Sequence, residues 1–233
     1  MINMINGDCM EFMRGVPDKF YELAIVDPPY GMNVKGQNPI KNKNDVKDFD
    51  TSWDAYTPDK EYFTELIRVS KSQIIWGGNY FLDFLGYCKA PVIWDKLNGA
   101  SLYADGEMAW TGGELPRNLK IFRHQWCGAF KDSERGVVNI HPTQKPVALY
   151  KWLLSKYAKP GDRILDTHGG SGSICIACHD LGFDLDWIEL DEDYYKSAIE
   201  RFNTHRAQGQ LFDPVELTKE TQKDLFQTLE ELS

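Results

Sequence analysis

Short apolar runs alternate along the chain with amphipathic segments. Four runs are almost continuously apolar, which is typical of strands buried on both faces of a parallel sheet; they are Leu23–Val26, Ile74–Trp76, Val92–Trp94 and Ile164–Leu165. Four further segments carry apolar residues at helical spacing, namely residues 58–70, 146–158, 171–182 and 192–205. Alternation of this kind predicts an α/β fold with a doubly wound sheet.

The composition predicts a soluble, globular protein. The chain has 233 residues, of which 42% are hydrophobic and 26% charged, so it suits one medium domain with a small insertion. No apolar run reaches the roughly 18 residues that a membrane span needs, and the N-terminus does not resemble a signal peptide. The five cysteines are an odd number, which favours free thiols. We therefore predict a cytoplasmic protein without membrane contact.

The net charge of −9 is unevenly distributed along the chain. Residues 180–233 hold 14 acidic and 5 basic residues, so the first 179 residues hold equal numbers of each. Residues 112–145 contain six lysines and arginines against three acidic residues, and such a basic stretch is compatible with a nucleic-acid partner. The predicted nucleic-acid contacts are Arg117, Lys120 and Arg123 in this stretch, and Lys41 and Lys43 in the polar segment 31–57.

A rigid polar motif, Asp27-Pro28-Pro29-Tyr30, directly follows the first predicted strand. In open α/β sheets, ligands bind beyond the carboxyl ends of the strands, so the motif lies where chemistry is expected. The two prolines restrict the backbone and leave carbonyl acceptors without N–H donors. A carboxylate, a rigid carbonyl and an aromatic ring together form a receptor for a planar group that carries an exocyclic amine.

A glycine-rich segment follows the last predicted strand. It reads Asp166-Thr-His-Gly-Gly-Ser-Gly-Ser173, and glycines in such a turn let a ligand approach the backbone closely. Glu189 comes nineteen residues after Gly170, where an acidic residue binds ribose hydroxyls in nucleotide-binding folds. The glycine spacing differs from that of dinucleotide sites, and the surrounding acidic residues disfavour a pyrophosphate. A cationic nucleoside such as S-adenosylmethionine fits better.

With these two motifs, the chain resembles the amino-group DNA methyltransferases, which methylate N6 of adenine or N4 of cytosine. The Asp27–Tyr30 motif precedes the glycine loop, and His141-Pro-Thr-Gln-Lys145-Pro lies just before the helix that leads into that loop. This order resembles the circularly permuted class called beta, and the chain is similar to methyltransferases of phages and prophages. The resemblance extends from Gly7 to about Phe202. It implies a Rossmann-like, mostly parallel sheet with one antiparallel strand.

The resemblance also implies site residues. Catalysis is implied for Asp27, Pro28, Pro29 and Tyr30, and S-adenosylmethionine binding for Asp8, Cys9, Asp27, Thr143, Lys145, Asp166, His168, Gly169, Gly170, Ser171, Gly172, Ser173, Glu189, Leu190 and Asp191. His168 departs from the family, which usually has a phenylalanine there, so we expect a polar or titratable pocket wall. No histidine or cysteine spacing indicates a metal site, and we predict none.

The implied organisation has four parts: a catalytic half (1–111), a target-recognition insertion (112–145), a cofactor half of the same domain (146–212) and an acidic C-terminal helix (213–233). We predict a site-specific methyltransferase that flips adenine out of duplex DNA and methylates N6 by in-line transfer. Cytosine N4, an RNA substrate, and an inactive module that binds S-adenosylmethionine and DNA are the alternatives. A partner restriction enzyme, a homodimer and a sliding-clamp contact through Gln208–Phe212 are further hypotheses.

Overall fold

The structure is a computed structural model, and it describes residues 1–32, 55, 57–99, 104–127 and 130–208. The strands in this part of the chain are Ile2–Asn6 (β1), Tyr21–Val26 (β2), Ser70–Trp76 (β3), Val92–Asp95 (β4), Gly106–Gly113 (β5), Lys120–Arg123 (β6), Trp126–Cys127 (β7), Phe130–Lys131 (β8), Arg163–Asp166 (β9) and Asp184–Glu189 (β10). The α-helices are Cys9–Arg14 (α1), Lys60–Val69 (α2), Leu82–Leu85 (α3), Val147–Tyr157 (α4), Ser173–Leu181 (α5) and Glu192–Ala207 (α6). None of these helices has the length and apolar character needed to cross a bilayer.

Eight of these strands form one sheet in the order β1-β10-β9-β2-β3-β5-β4-β6, and β7 and β8 form a separate hairpin. Neighbouring strands run parallel from β1 to β3, and β4 is parallel to β6. Strand β5 runs antiparallel to both of its neighbours, β3 and β4. The predicted α/β sheet, mostly parallel with one antiparallel strand, is therefore confirmed.

Side chains alternate across the sheet and divide the core into two layers, because successive residues of a strand point to opposite faces. In β2, Leu23 and Ile25 join the layer covered by α4, α5 and α6, whereas Ala24 and Val26 join the layer covered by α1 and α2. All four side chains are buried. Helices thus cover both faces of the sheet, which explains why the inner strands are almost continuously apolar.

All four predicted strands and all four predicted helices within this part occur, with ends displaced by a few residues. The apolar runs do not predict the other six strands, which are β1, β5, β6, β7, β8 and β10. Strands β1 and β6 lie at an edge of the sheet and mix partly buried with exposed positions. Strands β5 and β10 lie inside the sheet but carry polar residues among their apolar ones, so none of these four forms an apolar run. The predicted acidic helix 213–233 lies outside the described residues.

The carboxyl ends of the parallel strands meet at one edge of the sheet, which we call the carboxyl edge. Strands β1, β10, β9, β2 and β3 all end there, so the residues that follow them lie close together. Strand β5 begins at this edge, where Ala109 pairs with Trp76, the last residue of β3. It ends towards the opposite edge, where Gly113 pairs with Ser72. This topology decides which residues can reach a common site.

We expect Leu66→Ala in α2 to lower the free energy of unfolding by about 2–5 kcal/mol, because Leu66 is fully buried against the sheet. Ile67→Ala, at the next position of the same helix, is the matched control, since Ile67 is 36% exposed. We expect the control to cost less than about 1 kcal/mol. Urea denaturation measures both variants, and equal losses would contradict this assignment of the buried helix face.

Candidate active site

A cavity of about 440 Å³ opens at the carboxyl edge, and its size suits a ligand of nucleoside dimensions. Most residues that the sequence predicts to bind the cofactor line this cavity: Asp8, Cys9, Asp27, Thr143, Lys145, His168, Gly169, Gly170, Ser171, Glu189 and Leu190. The fold therefore brings together the segments after β1, β2, β9 and β10, together with the segment before α4.

Asp166 lies behind the cavity wall, although the sequence predicts that it binds the cofactor. Its side chain is buried and accepts a hydrogen bond from the His168 backbone N–H at 3.1 Å. Burial raises the pKa of Asp166 to about 8, so this carboxyl is mostly protonated at neutral pH. Its place beneath the glycine loop indicates that it supports the wall rather than forming it.

Three further predicted cofactor residues, Gly172, Ser173 and Asp191, are also absent from the described cavity lining. Gly172 is the N-cap of α5 with a φ of +67°, a left-handed conformation that favours glycine. Ser173 Oγ donates a hydrogen bond to the Lys145 carbonyl at 2.7 Å. Asp191 caps α6 by accepting two backbone N–H groups of its first turn, each at 2.9 Å. These contacts hold the ends of the helices that border the cavity.

Glu189 is held by backbone donors from the glycine loop and from the start of α6. Its Oε2 accepts the Gly170 N–H at 2.7 Å, and its Oε1 accepts the Asp191 N–H at 2.8 Å. Gly169 has to be glycine, because a Cβ there would lie 1.9 Å from the Trp187 ring. Burial raises the pKa of Glu189. Each carboxylate oxygen keeps capacity for a second donor, as recognition of ribose hydroxyls requires.

The start of α1 brings two predicted residues to the cavity. Asp8 is the N-cap of this helix, and its Oδ1 accepts the Met10 N–H at 2.6 Å and the Glu11 N–H at 3.3 Å. Burial raises the pKa of the Cys9 thiol to about 12, so Cys9 is neutral. The first helix therefore supplies one carboxylate and one uncharged side chain to the wall.

His168, at the position where the resembling family usually has phenylalanine, forms part of the wall as a neutral ring. The ring packs edge-on against Tyr62 with centroids 5.1 Å apart, and Nδ1 lies 3.0 Å from Thr167 Oγ1. Burial lowers the pKa of His168 to about 4. The wall is polar at this point, and its titration lies on the acid side of neutral pH.

His141 also lines the cavity, although the sequence motif points only to its neighbours Thr143 and Lys145. The His141 and Tyr194 rings have centroids 4.4 Å apart, and His141 Nδ1 accepts the Thr143 N–H at 3.3 Å. Burial lowers the pKa of His141 to about 3. The imidazole is therefore neutral at pH 7.

The sequence does not single out the remaining described lining residues, which are Gly7, Met10, Thr57, Pro58, Asp59, Tyr62, Gln144, Tyr150, Thr167 and Tyr194. Tyr62 and Tyr150 belong to the apolar stripes of predicted helices, so their spacing indicates only core packing. The place of Thr57–Asp59 beside the cavity could have been predicted from the sequence. These residues precede the helix that follows β2, and such helices begin at the carboxyl edge of a parallel sheet.

The Asp27-Pro28-Pro29-Tyr30 motif lies at the same edge, and Asp27 and Pro29 line the cavity. Tyr30 donates its hydroxyl hydrogen to Asp27 Oδ1 at 2.6 Å. The Tyr30 ring stacks on Tyr80 with centroids 5.1 Å apart, and a Cβ on Gly77 would lie 2.1 Å from Tyr30 Cε1. Close packing of the ring and a hydrogen bond at its hydroxyl thus hold Tyr30 in place.

Lys145 is buried beside this motif, although it belongs to the basic stretch 112–145. Its ammonium contacts Asp27 Oδ2 and lies 3.1 Å from Glu107 Oε2, and Glu107 also pairs with Lys96. Burial favours the neutral amine, but the carboxylates of Asp27 and Glu107 outweigh it and raise the pKa of Lys145 above its usual value. Glu107 is a functional candidate that the sequence does not single out.

The predicted nucleic-acid contacts do not form one surface beside the cavity. Lys41 and Lys43 lie outside the described residues. Lys120 and Arg123 lie at the two ends of edge strand β6, where they pair with β4 near the carboxyl edge. Arg117 follows the end of β5 towards the opposite edge and lines a second cavity of about 220 Å³. DNA binding by all five residues stays a prediction.

The predicted insertion 112–145 is continuous with the main sheet. It includes the end of β5, the whole of β6 and the β7–β8 hairpin, and β6 extends the sheet beside β4. Glu134, after the hairpin, pairs with Arg201 of α6 at 2.7 Å. The segment is therefore anchored to both the sheet and the cofactor half, and its role in target recognition stays a prediction.

The charge of the cavity suits a cationic nucleoside. Its described lining carries four carboxyl groups, on Asp8, Asp27, Asp59 and Glu189, and one ammonium, on Lys145. The two lining histidines are neutral at pH 7. This balance attracts a sulfonium and disfavours a phosphate. The residues therefore fit S-adenosylmethionine.

Comparison with known proteins agrees with this site. Residues 93–200 match the model of the N6_N4_Mtase family, described as DNA methylase. The chain is also 27% identical over 242 residues to the type II methyltransferase M.HinfI of Haemophilus influenzae, a match that covers 85% of this chain and 67% of that protein. The chain is similar to the amino-group DNA methyltransferases over this range. S-adenosylmethionine is the cofactor of this family, so the predicted cofactor is confirmed, and the family methylates N6 of adenine or N4 of cytosine.

Solved methyltransferase structures share the fold. The M1.HpyAVI–SAM complex superposes with a TM-score of 0.56 at 21% identity, over 86% of this chain and all of that chain. The PvuII DNA methyltransferase, described as cytosine-N4-specific, superposes with a TM-score of 0.56 at 13% identity, over 94% of this chain and 90% of that chain. At such identities the likeness shows a common architecture.

We expect His168→Phe to make folding less sensitive to acid. The pKa of His168 falls from 6.5 in the unfolded chain to about 4 in the fold, so the unfolded state binds the proton more tightly. Stability is therefore full above pH 6.5 and declines as the pH falls towards 4. Between pH 7.5 and 5 this group costs the wild type about 2 kcal/mol, a loss that the variant avoids. Urea unfolding at both pH values measures the difference, and equal pH dependence would contradict a buried neutral imidazole.

Proposed function

We propose that this protein transfers a methyl group from S-adenosylmethionine to the N6 amino group of an adenine flipped out of duplex DNA. The observation that carries this proposal is the position of Asp27, whose carboxylate lines the same cavity as Glu189 and the glycine loop Gly169–Ser171. An acceptor for the target amine and a receptor for the cofactor thus share one space, as direct transfer requires.

We assign the lining residues to parts of the cofactor as the resemblance implies. Glu189 accepts the ribose hydroxyls, Asp8 lies near the adenine, and the glycine loop approaches the methionine part. Thr143 and Lys145 close the cavity. When bound, S-adenosylmethionine supplies an electrophilic methyl group on a sulfonium, and the carboxylates of the wall favour this positive charge.

Asp27 and the Pro28 carbonyl are the acceptors for the two N–H groups of the target amine. An exocyclic amine is a poor nucleophile, because its lone pair is delocalised into the base. Hydrogen bonds from both N–H groups favour a pyramidal nitrogen whose lone pair points at the methyl group. The Tyr30 hydroxyl, 2.6 Å from Asp27 Oδ1, fixes the orientation of the carboxylate. Positioning therefore matters more than base strength, and the proton that the nitrogen loses on methylation passes along its hydrogen bond to Asp27 and on to water.

Tyr30 also offers its ring to the flipped base. Stacking on this ring offsets part of the few kcal/mol that unpairing costs. Tyr80 now stacks on the ring at 5.1 Å and is 50% exposed. We therefore expect the incoming base to displace Tyr80.

Cytosine N4 is the second candidate for the methylated position. Both amino groups present two N–H donors in the same geometry to Asp27 and Pro28. The PvuII DNA methyltransferase, described as cytosine-N4-specific, shares this fold over 94% of the chain. RNA methylation, and binding of S-adenosylmethionine and DNA without turnover, are the further outcomes that the experiment below separates.

We also propose that the chain belongs to the permuted beta class, because its Asp27–Tyr30 motif precedes the glycine loop. We propose as well that it resembles phage and prophage enzymes and acts in the cytoplasm of a bacterium or an infected host. A partner restriction enzyme, a homodimer and a clamp contact through Gln208–Phe212 stay hypotheses. All of that peptide except Gln208 lies outside the described residues.

We expect Asp27→Ala to lower methyl transfer by about 100-fold or more, because the target amine loses its charged acceptor. Tyr30→Ala should also lose transfer, since it removes both the stacking ring and the hydrogen bond to Asp27. Calorimetry should show that both variants still bind S-adenosylmethionine. Glu200→Ala, an exposed change on α6, is the control and should keep full activity. Retained turnover in Asp27→Ala would overturn the mechanism.

The product is identified by nucleoside mass spectrometry after incubation of unmethylated duplex DNA with the protein and S-adenosylmethionine. N6-methyladenine supports the proposed reaction. N4-methylcytosine keeps the mechanism and overturns the choice of base. Product only from RNA would change the substrate class. No product from duplex DNA, single strands or RNA would favour a binding module and overturn the proposed function.

A further inference from the structure

We propose that Glu107 is a positioning residue for methyl transfer, because it shares the Lys145 ammonium with Asp27 and takes it up when Asp27 accepts the target amine. The inference rests on the proposed function. Lys145 Nζ contacts Asp27 Oδ2 and lies 3.1 Å from Glu107 Oε2, and the Lys145 side chain is only 3% exposed. The buried ammonium thus has two carboxylates within contact distance.

The second carboxylate, Glu107, can accept a further hydrogen bond. Glu107 Oε2 is buried and has no hydrogen-bond partner among the described residues, although Lys145 Nζ is 3.1 Å away. The two atoms form an ion pair whose alignment falls short of a full hydrogen bond, and, against the opposing effect of burial, this pairing already lowers the pKa of Glu107. A buried acceptor without a donor is costly. A small rotation of the Lys145 side chain would complete this bond.

Asp27, in contrast, already has a donor on each of its two carboxylate oxygens. Its Oδ1 already accepts the Tyr30 hydroxyl at 2.6 Å, and its Oδ2 accepts the Lys145 ammonium. The proposed reaction asks the same carboxylate to accept an N–H of the target base. Transfer of the ammonium from Asp27 to Glu107 frees Oδ2 for that N–H. It also keeps the Lys145 ammonium paired, which avoids the large cost of an isolated buried charge, while the Asp27 carboxylate keeps the Tyr30 hydroxyl as a donor and gains the N–H of the base.

Lys96 completes the charge balance. It pairs with the other oxygen of Glu107, so two ammonium groups and two carboxylates alternate in the order Lys96, Glu107, Lys145, Asp27. The backbone of Lys145 is held in place, because its carbonyl accepts the Ser173 hydroxyl at 2.7 Å. Only the end of the Lys145 side chain has to move.

A purely structural role for Glu107 gives a different expectation. Glu107 lies in β5, and Lys96 directly follows β4, so their ion pair joins neighbouring strands. If Glu107 acted only through Lys96, removal of both charges would restore both the stability and the activity that Glu107→Gln alone loses. If Glu107 acts through Lys145, the same double change restores the stability lost in Glu107→Gln but not the rate of methyl transfer.

Glu107→Gln, Lys96→Met and the double variant separate these two roles. Each is compared with the wild type for kcat and KM on unmethylated genomic DNA with tritiated S-adenosylmethionine. Cofactor Kd and thermal unfolding are measured alongside. We expect Glu107→Gln and the double variant to lose about tenfold or more in kcat. KM and the cofactor Kd should stay within about threefold of the wild type, and Lys96→Met alone should keep kcat within the same range.

Wild-type kcat in the double variant, or in Glu107→Gln, would overturn the inference and leave Glu107 as a strand contact. If Glu107→Gln fails to fold, the double variant decides, because its remaining buried charges, Lys145 and Asp27, are still paired. Low kcat in that variant supports the inference. If the wild type itself methylates no nucleic acid, the proposed function fails and the inference fails with it. An active wild type with an active double variant overturns the inference alone.

Discussion

The ion pair between Lys145 and Asp27 joins the two segments on which the site depends. The residues are 118 positions apart in sequence, and both side chains are largely removed from water. Loss of Lys145 would leave the Asp27 carboxylate without its counter-charge, which is destabilising, so the fold has to hold the segment before α4 against the end of β2. The Lys145 carbonyl is tied in turn to Ser173 at the start of α5. One electrostatic constraint therefore couples the Asp27–Tyr30 motif to the glycine loop.

Burial decides which groups of the site are charged. It raises the pKa of Asp166 to about 8 and lowers the pKa values of His168 and His141 to about 4 and 3. At neutral pH these three groups therefore contribute little charge. Lys145 stays charged because two carboxylates face it. The result is a wall whose charge is confined to a few carboxylates and one ammonium, as a receptor for a sulfonium nucleoside requires.

Local patterns predicted much of the architecture. Inner strands such as β2 are covered on both faces, so they appear in the sequence as continuous apolar runs. Edge strand β6 has no such run, because part of it faces water. The same limit applies to the site: the motif residues Asp27 and Glu189 stand out after their strands, whereas Tyr62 belongs to a helical apolar stripe and resembles ordinary core.

The sequence by itself determined the alternation of strands and helices, the two ligand-binding motifs and, through them, the cofactor. Only the tertiary structure decided which charges meet. It buries Lys145 between Asp27 and Glu107, and it places Arg117 towards the opposite edge from the cavity. The physical reason is the distance along the chain over which each feature is specified. Helical and strand periodicity is encoded within about ten residues. Charge pairing depends instead on the register of strands that lie far apart in the chain.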